Sequence, residues 1–213
     1  ATAQHGHDLA RDLVRHGHDV SAIASRSLYG QKGAALPSHE VVDGIQIHRV
    51  GRSFFGKSSI LARVADFAFF YLAAMTKSLM LPKHDVVICF TTPPFIAMVG
   101  RILRLVKGTK CIYWVMDLYP DVMVAHGMLK SNGLLHKLLA ALTRWGFGGQ
   151  RCSTVLSLGP DMAKRVAGYL GSEGKSPWVP LWSGSESSEA NQEHVMALRK
   201  SRGWNDDELI VMY

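Results

Sequence analysis

Two short runs of uninterrupted apolar residues, VVICF at Val86 to Phe90 and CIYWVM at Cys111 to Met116, constrain the fold most strongly. Runs of this length without polar alternation suit strands covered on both faces. Between them, Phe95 to Val106 has the period and length of a helix. Leu134 to Phe147 reads as another helix, Val155 to Leu158 as a strand and Asp161 to Tyr169 as a helix. Strands alternating with helices of this length mean βαβ units with right-handed crossovers. The expected fold class is α/β, a Rossmann-like parallel sheet with helices on both faces.

The first third fits the same scheme. Leu9, Leu13 and Val14 share one face of a helix over Thr2 to His16, which Gly17 can end in a left-handed turn. Val20 to Ala24 is a short strand, and the Gly-rich residues 26–40 are loop-like. Val42 to Val50 suggests a hairpin or edge strand turning at Asp43-Gly44. A long helix follows from Ser58 to Leu81, stopped by Pro82. The chain opens on a helix, where a doubly wound domain normally opens on a strand. Its last run, LIVMY at Leu209 to Tyr213, reads as a fresh strand.

With 213 residues, 47% of them hydrophobic, the chain can bury one substantial core. Cys89, Cys111 and Cys152 have no metal-binding spacing. The first two lie in apolar runs, as expected of buried, reduced thiols in a cytosolic protein. No secretory signal opens the sequence. Twenty-four Lys and Arg against 17 Asp and Glu leave a net charge of +7, which favours an anionic partner. The absence of RNA-binding aromatic motifs, zinc spacings and basic tails argues against nucleic acid and for an anionic membrane surface.

The motifs are concentrated where strands should end. WVMDLYPDVMVAHGMLK, Trp114 to Lys130, places Asp117 at the end of an apolar run and beside a new helix. Open α/β sheets bind their ligands at that edge, although an acid there also serves as a helix cap. The stretch resembles the acceptor-side loop of bacterial family-four glycosyltransferases, D-[LI]-[WY]-P-[ED] followed by A-x-G-[ML]-[LI]. Four other segments are similar to that family in the same order: LARDLVRHGHDVSAIAS, FTTPPFIAMVG, STVLSLGPDMAKRV and WVPLWSGSE.

The resemblance implies the amino-terminal half of a GT-B fold. Residues 1–185 would form an acceptor-side domain lacking its first strand. Residues 186–213 would be a linker, a helix and the opening strand of a truncated donor-binding domain. Such enzymes transfer sugar from a nucleotide-sugar donor with retention of configuration and without a metal or other cofactor. The acceptor implied is a glycan, carried on a polyprenyl diphosphate during surface-polysaccharide assembly at the cytoplasmic face of the membrane. Where many family members have His before the Asp, this chain has Met116, as in the subfamily resembling N-acetyl-fucosamine transferases. No side chain is therefore assigned as catalytic base. The competing class is a non-catalytic Rossmann-like domain that docks on a membrane or partner.

The acceptor-binding candidates are Thr91, Thr92, Asp117, Tyr119, Ser157 and Gly159, all at strand ends. Helix capping is the other reading of the threonines, and a helix-opening turn that of Ser157 and Gly159. His5-Gly-His7-Asp8 and His16-Gly-His18-Asp19 invite a metal reading, but ligands on opposite sides of a helix and its turn do not converge. Residues 60–81 are long enough to span a bilayer, yet Arg63, Asp66 and Lys77 fall within a sector of roughly 60°. That pattern belongs to an amphipathic helix. Phe70, Ala74 and Leu81 share the charged sector, so Phe70 and Leu81 are candidates for meeting lipid. Lys137 and Arg144, within a seven-residue recurrence from Lys130 to Arg151, form a cationic stripe suited to anionic headgroups.

Overall fold

A computed structural model describes residues 2–26, 36–51, 60–148, 153–171, 176–182, 191–205 and 207–210. The chain divides into two compact units, Ala1–Leu181 and Trp182–Tyr213. In order, the larger unit contains α1 (Thr2–Arg15), β1 (Ser21–Ser25), β2 (His39–Val42), β3 (Ile45–Val50), α2 (Ile60–Met80) and β4 (Val86–Phe90). It continues through α3 (Ala97–Lys107), β5 (Lys110–Trp114), α4 (Asp121–Ala125), α5 (Leu134–Phe147), β6 (Ser153–Leu156) and α6 (Pro160–Leu170). The smaller unit contains α7 (Gln192–Arg202), opened by Asn191, whose side chain accepts the Glu193 N–H, and closed by left-handed Gly203.

The expected α/β arrangement is present, but in two pieces. One sheet is parallel throughout, in the order β4-β5-β6; the other is mixed, in the order β1-β3-β2. Within the mixed sheet β1 pairs with β3 in parallel, and β2 returns antiparallel through a tight turn at Asp43 and Gly44, both at positive φ. In a doubly wound sheet the first strand lies at the centre. No described strand stands there between β1 and β4. Helix α1 touches both sheets: Gly6 lies under the Phe90 ring of β4, and Val14 lies 2.8 Å from the position of a Cβ on Gly44.

The core gathers on the parallel sheet, where Cys89, Cys111, Tyr113, Val115 and Val155 meet Ala97, Phe147 and Val166 from the helices. Helix α3 is drawn close at Gly100. A Cβ there would lie 2.5 Å from Cys111 Sγ and 2.9 Å from Cys89 Sγ. Helix α5 crosses α3 at a second close approach, where a Cβ on Gly146 would come within 3.1 Å of the Ala97 Cβ. The Cys111 hydrogen bond, with burial, holds the Cys89 thiol well above its ordinary range. Both thiols are free and buried. At the opposite end of α3, Lys107 donates to Ser78 O (2.9 Å) and Leu81 O, satisfying the last carbonyls of α2.

The orientation of α2 corrects one expectation. The described part of its charged sector, from Asp66 to Lys77, turns toward the neighbouring elements. Ala74 is only 3% exposed, Phe70 and Leu81 are half-buried, and Lys77 lies near enough to His48 to depress the imidazole pKa, second only to burial. A long Lys stem can lie on apolar surface while its ammonium reaches water, so the charged sector does not mark the wet face. The opposite face carries the exposed Phe69, Leu72, Leu79 and Met80. At the chain's end, Leu209 and Ile210 form no strand, and the remainder of the expected LIVMY strand lies outside the described residues.

The contact at Gly100 makes a stability prediction. Gly100→Ala gains about 1 kcal/mol in helix propensity, but overpacking two buried sulfurs costs about 1–3 kcal/mol. A net loss of about 1–2 kcal/mol is expected, which lowers Tm by a few degrees in calorimetry. Cys111→Ala in the same chain should restore part of it. A variant as stable as the parent would show that α3 does not approach the sheet so closely.

Candidate functional site

Parallel pairing aligns three strand ends, with Phe90 beside Trp114 and Trp114 beside Leu156. The residues that follow therefore emerge along one carboxyl edge: Thr91 after β4, Met116 and Asp117 after β5, and Ser157 with Gly159 after β6. The Val115 N–H donates to Leu156 O (2.8 Å), which extends this alignment one residue past β5.

Thr91 joins two of these loops. Its side chain is 1% exposed, and its hydroxyl donates to Trp114 O (3.3 Å) while accepting from the Met116 N–H (2.7 Å) and the Asp117 N–H (3.2 Å). A β-branched residue at this position combines a stiff χ1 with one hydroxyl that satisfies two backbone donors. Thr91 thus holds Asp117 in place rather than facing a ligand. Asp117 is exposed and makes no ion pair among the described residues. Thr92 is also exposed, and a cis peptide links it to Pro93.

Tyr119 lies half-buried beside Asp117. Burial, and then the Asp117 charge, raise the pKa of its phenol, so it remains a hydrogen-bond donor at neutral pH. The Tyr119 backbone is fixed from α5, where the Thr143 hydroxyl donates to Tyr119 O (2.9 Å), a proton it can also offer to Leu139 O (3.1 Å). The Phe95 ring stands 5.8 Å from that of Tyr119, tilted by 52°. Phe95 itself has φ +64°, a left-handed conformation that a bulky residue seldom adopts. Backbone strain of this kind clusters at ligand sites. Phe95, Asp117, Tyr119 and Thr143 share a small internal cavity with Phe147. Its room is that of about one water molecule, too small for a sugar ring.

The β6 end is built differently. Ser157 is fully buried, its Oγ lies 2.6 Å from Ser176 Oγ, and Ser176 in turn donates to Val155 O (2.7 Å). This hydroxyl pair, with the Ser157 N–H bonded to Pro177 O, fastens residues 176–179 along β6. The side chain expected to bind acceptor is therefore spent inside the fold. Gly159 is half-exposed at the start of α6, and a Cβ there would meet nothing within 4 Å, which leaves the backbone approachable.

A second cluster adjoins the Asp117 loop. The Tyr169 hydroxyl donates to Asp121, Arg165 Nη1 lies 3.5 Å from the same carboxylate, and the Arg144 guanidinium sits 5.5 Å from the centre of the Tyr169 ring. Arg144 is thus exposed but held by a cation–π contact. Lys137 is exposed on the same helix, whereas Phe70 and Leu81 belong to α2 and its end. Sequence reasoning missed Phe95 and Thr143. The only signal for Phe95 is its place after Pro93-Pro94, and a Thr inside an apolar helix gives none. Among the described residues, no group of three or more His, Cys, Asp or Glu is placed to hold a metal ion.

Removing the Thr91 hydroxyl should loosen the Asp117 turn selectively. Thr91→Val leaves two part-buried N–H groups without their acceptor, a loss of up to about 1–3 kcal/mol, and should accelerate amide hydrogen exchange at Met116 and Asp117. Thr91→Ser keeps the acceptor and should retain that protection. Equal protection in both variants would remove Thr91 from its positioning role.

Comparison with curated proteins and with solved structures finds no match to this chain. Among protein families, the model described as "Glycosyl transferase 4-like domain" matches residues 2–181. The match includes every strand-end loop described above. The chain therefore belongs to the glycosyl transferase 4-like domain family, a glycosyltransferase α/β domain that serves a sugar donor and an acceptor.

Proposed function

We propose that residues 1–181 form the acceptor-side domain of a retaining, metal-independent GT-B glycosyltransferase. It transfers a sugar from a nucleotide-sugar donor to a glycan carried on a polyprenyl diphosphate, in bacterial surface-polysaccharide assembly. The observation that carries this reading is the Thr91-held Asp117 beside the protonated Tyr119, at the carboxyl edge of the parallel sheet. The family match favours a transferase over a non-catalytic docking domain.

The chemistry follows from the groups present. The Asp117 carboxylate accepts a hydrogen bond from an acceptor hydroxyl and fixes its direction toward the donor carbon. The Tyr119 phenol offers a donor alongside, and the Phe95 and Tyr119 rings supply apolar area for a sugar face. Holding the nucleophile in line contributes through lost rotational freedom that binding has already accounted for. Stabilisation of the departing diphosphate is assigned to the donor-binding half of the two-domain enzyme. Met116 in place of His supports the subfamily resembling N-acetyl-fucosamine transferases. A lipid-borne acceptor and a net charge of +7 support a peripheral position on the cytoplasmic leaflet.

The test is Asp117→Asn in the two-domain enzyme. Transfer to acceptor should fall at least about tenfold in kcat/KM, about 1.4 kcal/mol of transition-state stabilisation, with Tm unchanged because the carboxylate is exposed. A lowered Tm with full specific activity would make Asp117 a structural cap.

A further inference from the structure

We infer that the outer face of α5, together with the turn leading into it, is a docking surface for an anionic phospholipid bilayer. The inference rests on the reading of a lipid-borne acceptor and names the surface that brings it to Asp117.

The inner side of α5 is committed to the fold: Ala140, Thr143, Gly146 and Phe147 are buried. Its outer side is apolar where a solvated helix would be polar. Leu134 is 88% exposed, Leu138 56% and Trp145 43%, and with exposed Ala141 they recur at spacings of four, three and four residues. That recurrence draws one continuous stripe along the helix. Leu135 and, in the preceding turn, Met128 widen it. Exposed Lys137 and Arg144 border the stripe, and Arg144 is steadied over Tyr169. An apolar stripe bordered by cations is the pattern of a helix lying in a membrane interface.

Charge identifies the occupant. Residues 122–160 contain no Asp or Glu, yet include Lys130, Lys137, Arg144 and Arg151. A second copy is a poor fit, because a two-fold interface sets each patch against itself, and α5 with the turn before it supplies no acid to answer Lys137 or Arg144. The wet face of α2 serves as a contrast. Leu72 is 69% exposed there, but the cation on its described turns, Lys77, is half-buried toward His48. Geometry places the purpose. The far side of α5 meets the cavity shared with Asp117, so a bilayer against the outer face lies about one helix diameter, roughly 10 Å, from the site.

The experiment is sedimentation of the 213-residue chain with vesicles of phosphatidylglycerol and phosphatidylcholine, or of phosphatidylcholine alone. Binding is expected on the anionic vesicles, weakening as salt screens the cations. Leu134→Glu with Leu138→Glu should reduce it by roughly tenfold or more, and Leu134→Ser with Leu138→Ser should weaken it without added charge. Leu72→Glu should leave it unchanged. Circular dichroism and Tm report that each variant is folded. The proposal is overturned if the parent fails to sediment, if the α5 variants bind like the parent, or if Leu72→Glu weakens binding equally. Self-association lost in the α5 variants, without vesicle binding, would assign the face to a second copy. Vesicle binding needs neither donor nor acceptor. A failure here therefore leaves the transferase test untouched, and a failure of that test leaves vesicle binding intact.

Discussion

A parallel sheet must be covered on both faces, and here the cover depends on two close helix approaches made at glycines. Gly100 brings α3 onto the sulfurs of Cys89 and Cys111, and Gly146 brings α5 onto Ala97 of α3. Native packing density leaves little slack at such contacts. The depth of α5 decides whether Thr143 reaches Tyr119 O, and the depth of α3 decides where the loop through Phe95 must turn. The site is positioned by helix packing before any of its own polar groups act.

Within the site, burial separates the groups that hold from the groups that touch. Thr91, Thr143 and Ser157 are buried, and each spends its hydroxyl on backbone or on a neighbouring hydroxyl. Asp117, Thr92 and Gly159 remain accessible, and Tyr119 is half so. Buried hydroxyls are costly when unpaired, so a threonine or serine at a strand end is first a solution to backbone bonding. A carboxylate is different. Asp117 could have been neutralised by a nearby cation, as Asp121 is approached by Arg165 and bonded by Tyr169, and among the described residues it is not.

Much of this was legible in the sequence. Val86–Phe90 and Leu134–Phe147 have the observed bounds, because an apolar run between polar residues and a helical period are local signals. The hairpin at Asp43-Gly44 was legible for the same reason. Burial at the site was not. Ser157 stands at a strand end like Thr92, and only the path of residues 176–179 beside β6 decides that its hydroxyl turns inward. Nor does sequence show that β1 and β4 each end a separate sheet, since strand order is a long-range property.

The face of α2 shows why charge on a helical wheel misleads and where it can be trusted. Arg63, Asp66 and Lys77 suggested a wet sector, yet Lys77 sits half-buried near His48 and Ala74 beside it is buried. A long cationic stem accommodates either side of an interface, so its position says little about burial. Carboxylates are shorter and tolerate burial less. Between residues 86 and 160 there are only two, Asp117 and Asp121, against eight Lys and Arg. A region so poor in acids has a positive field, which draws anions toward it. In that field a carboxylate would ordinarily acquire a cation. Asp121 has acquired one, while Asp117 is held by its backbone with its side chain exposed, which leaves its carboxylate oxygens open to accept hydrogen bonds.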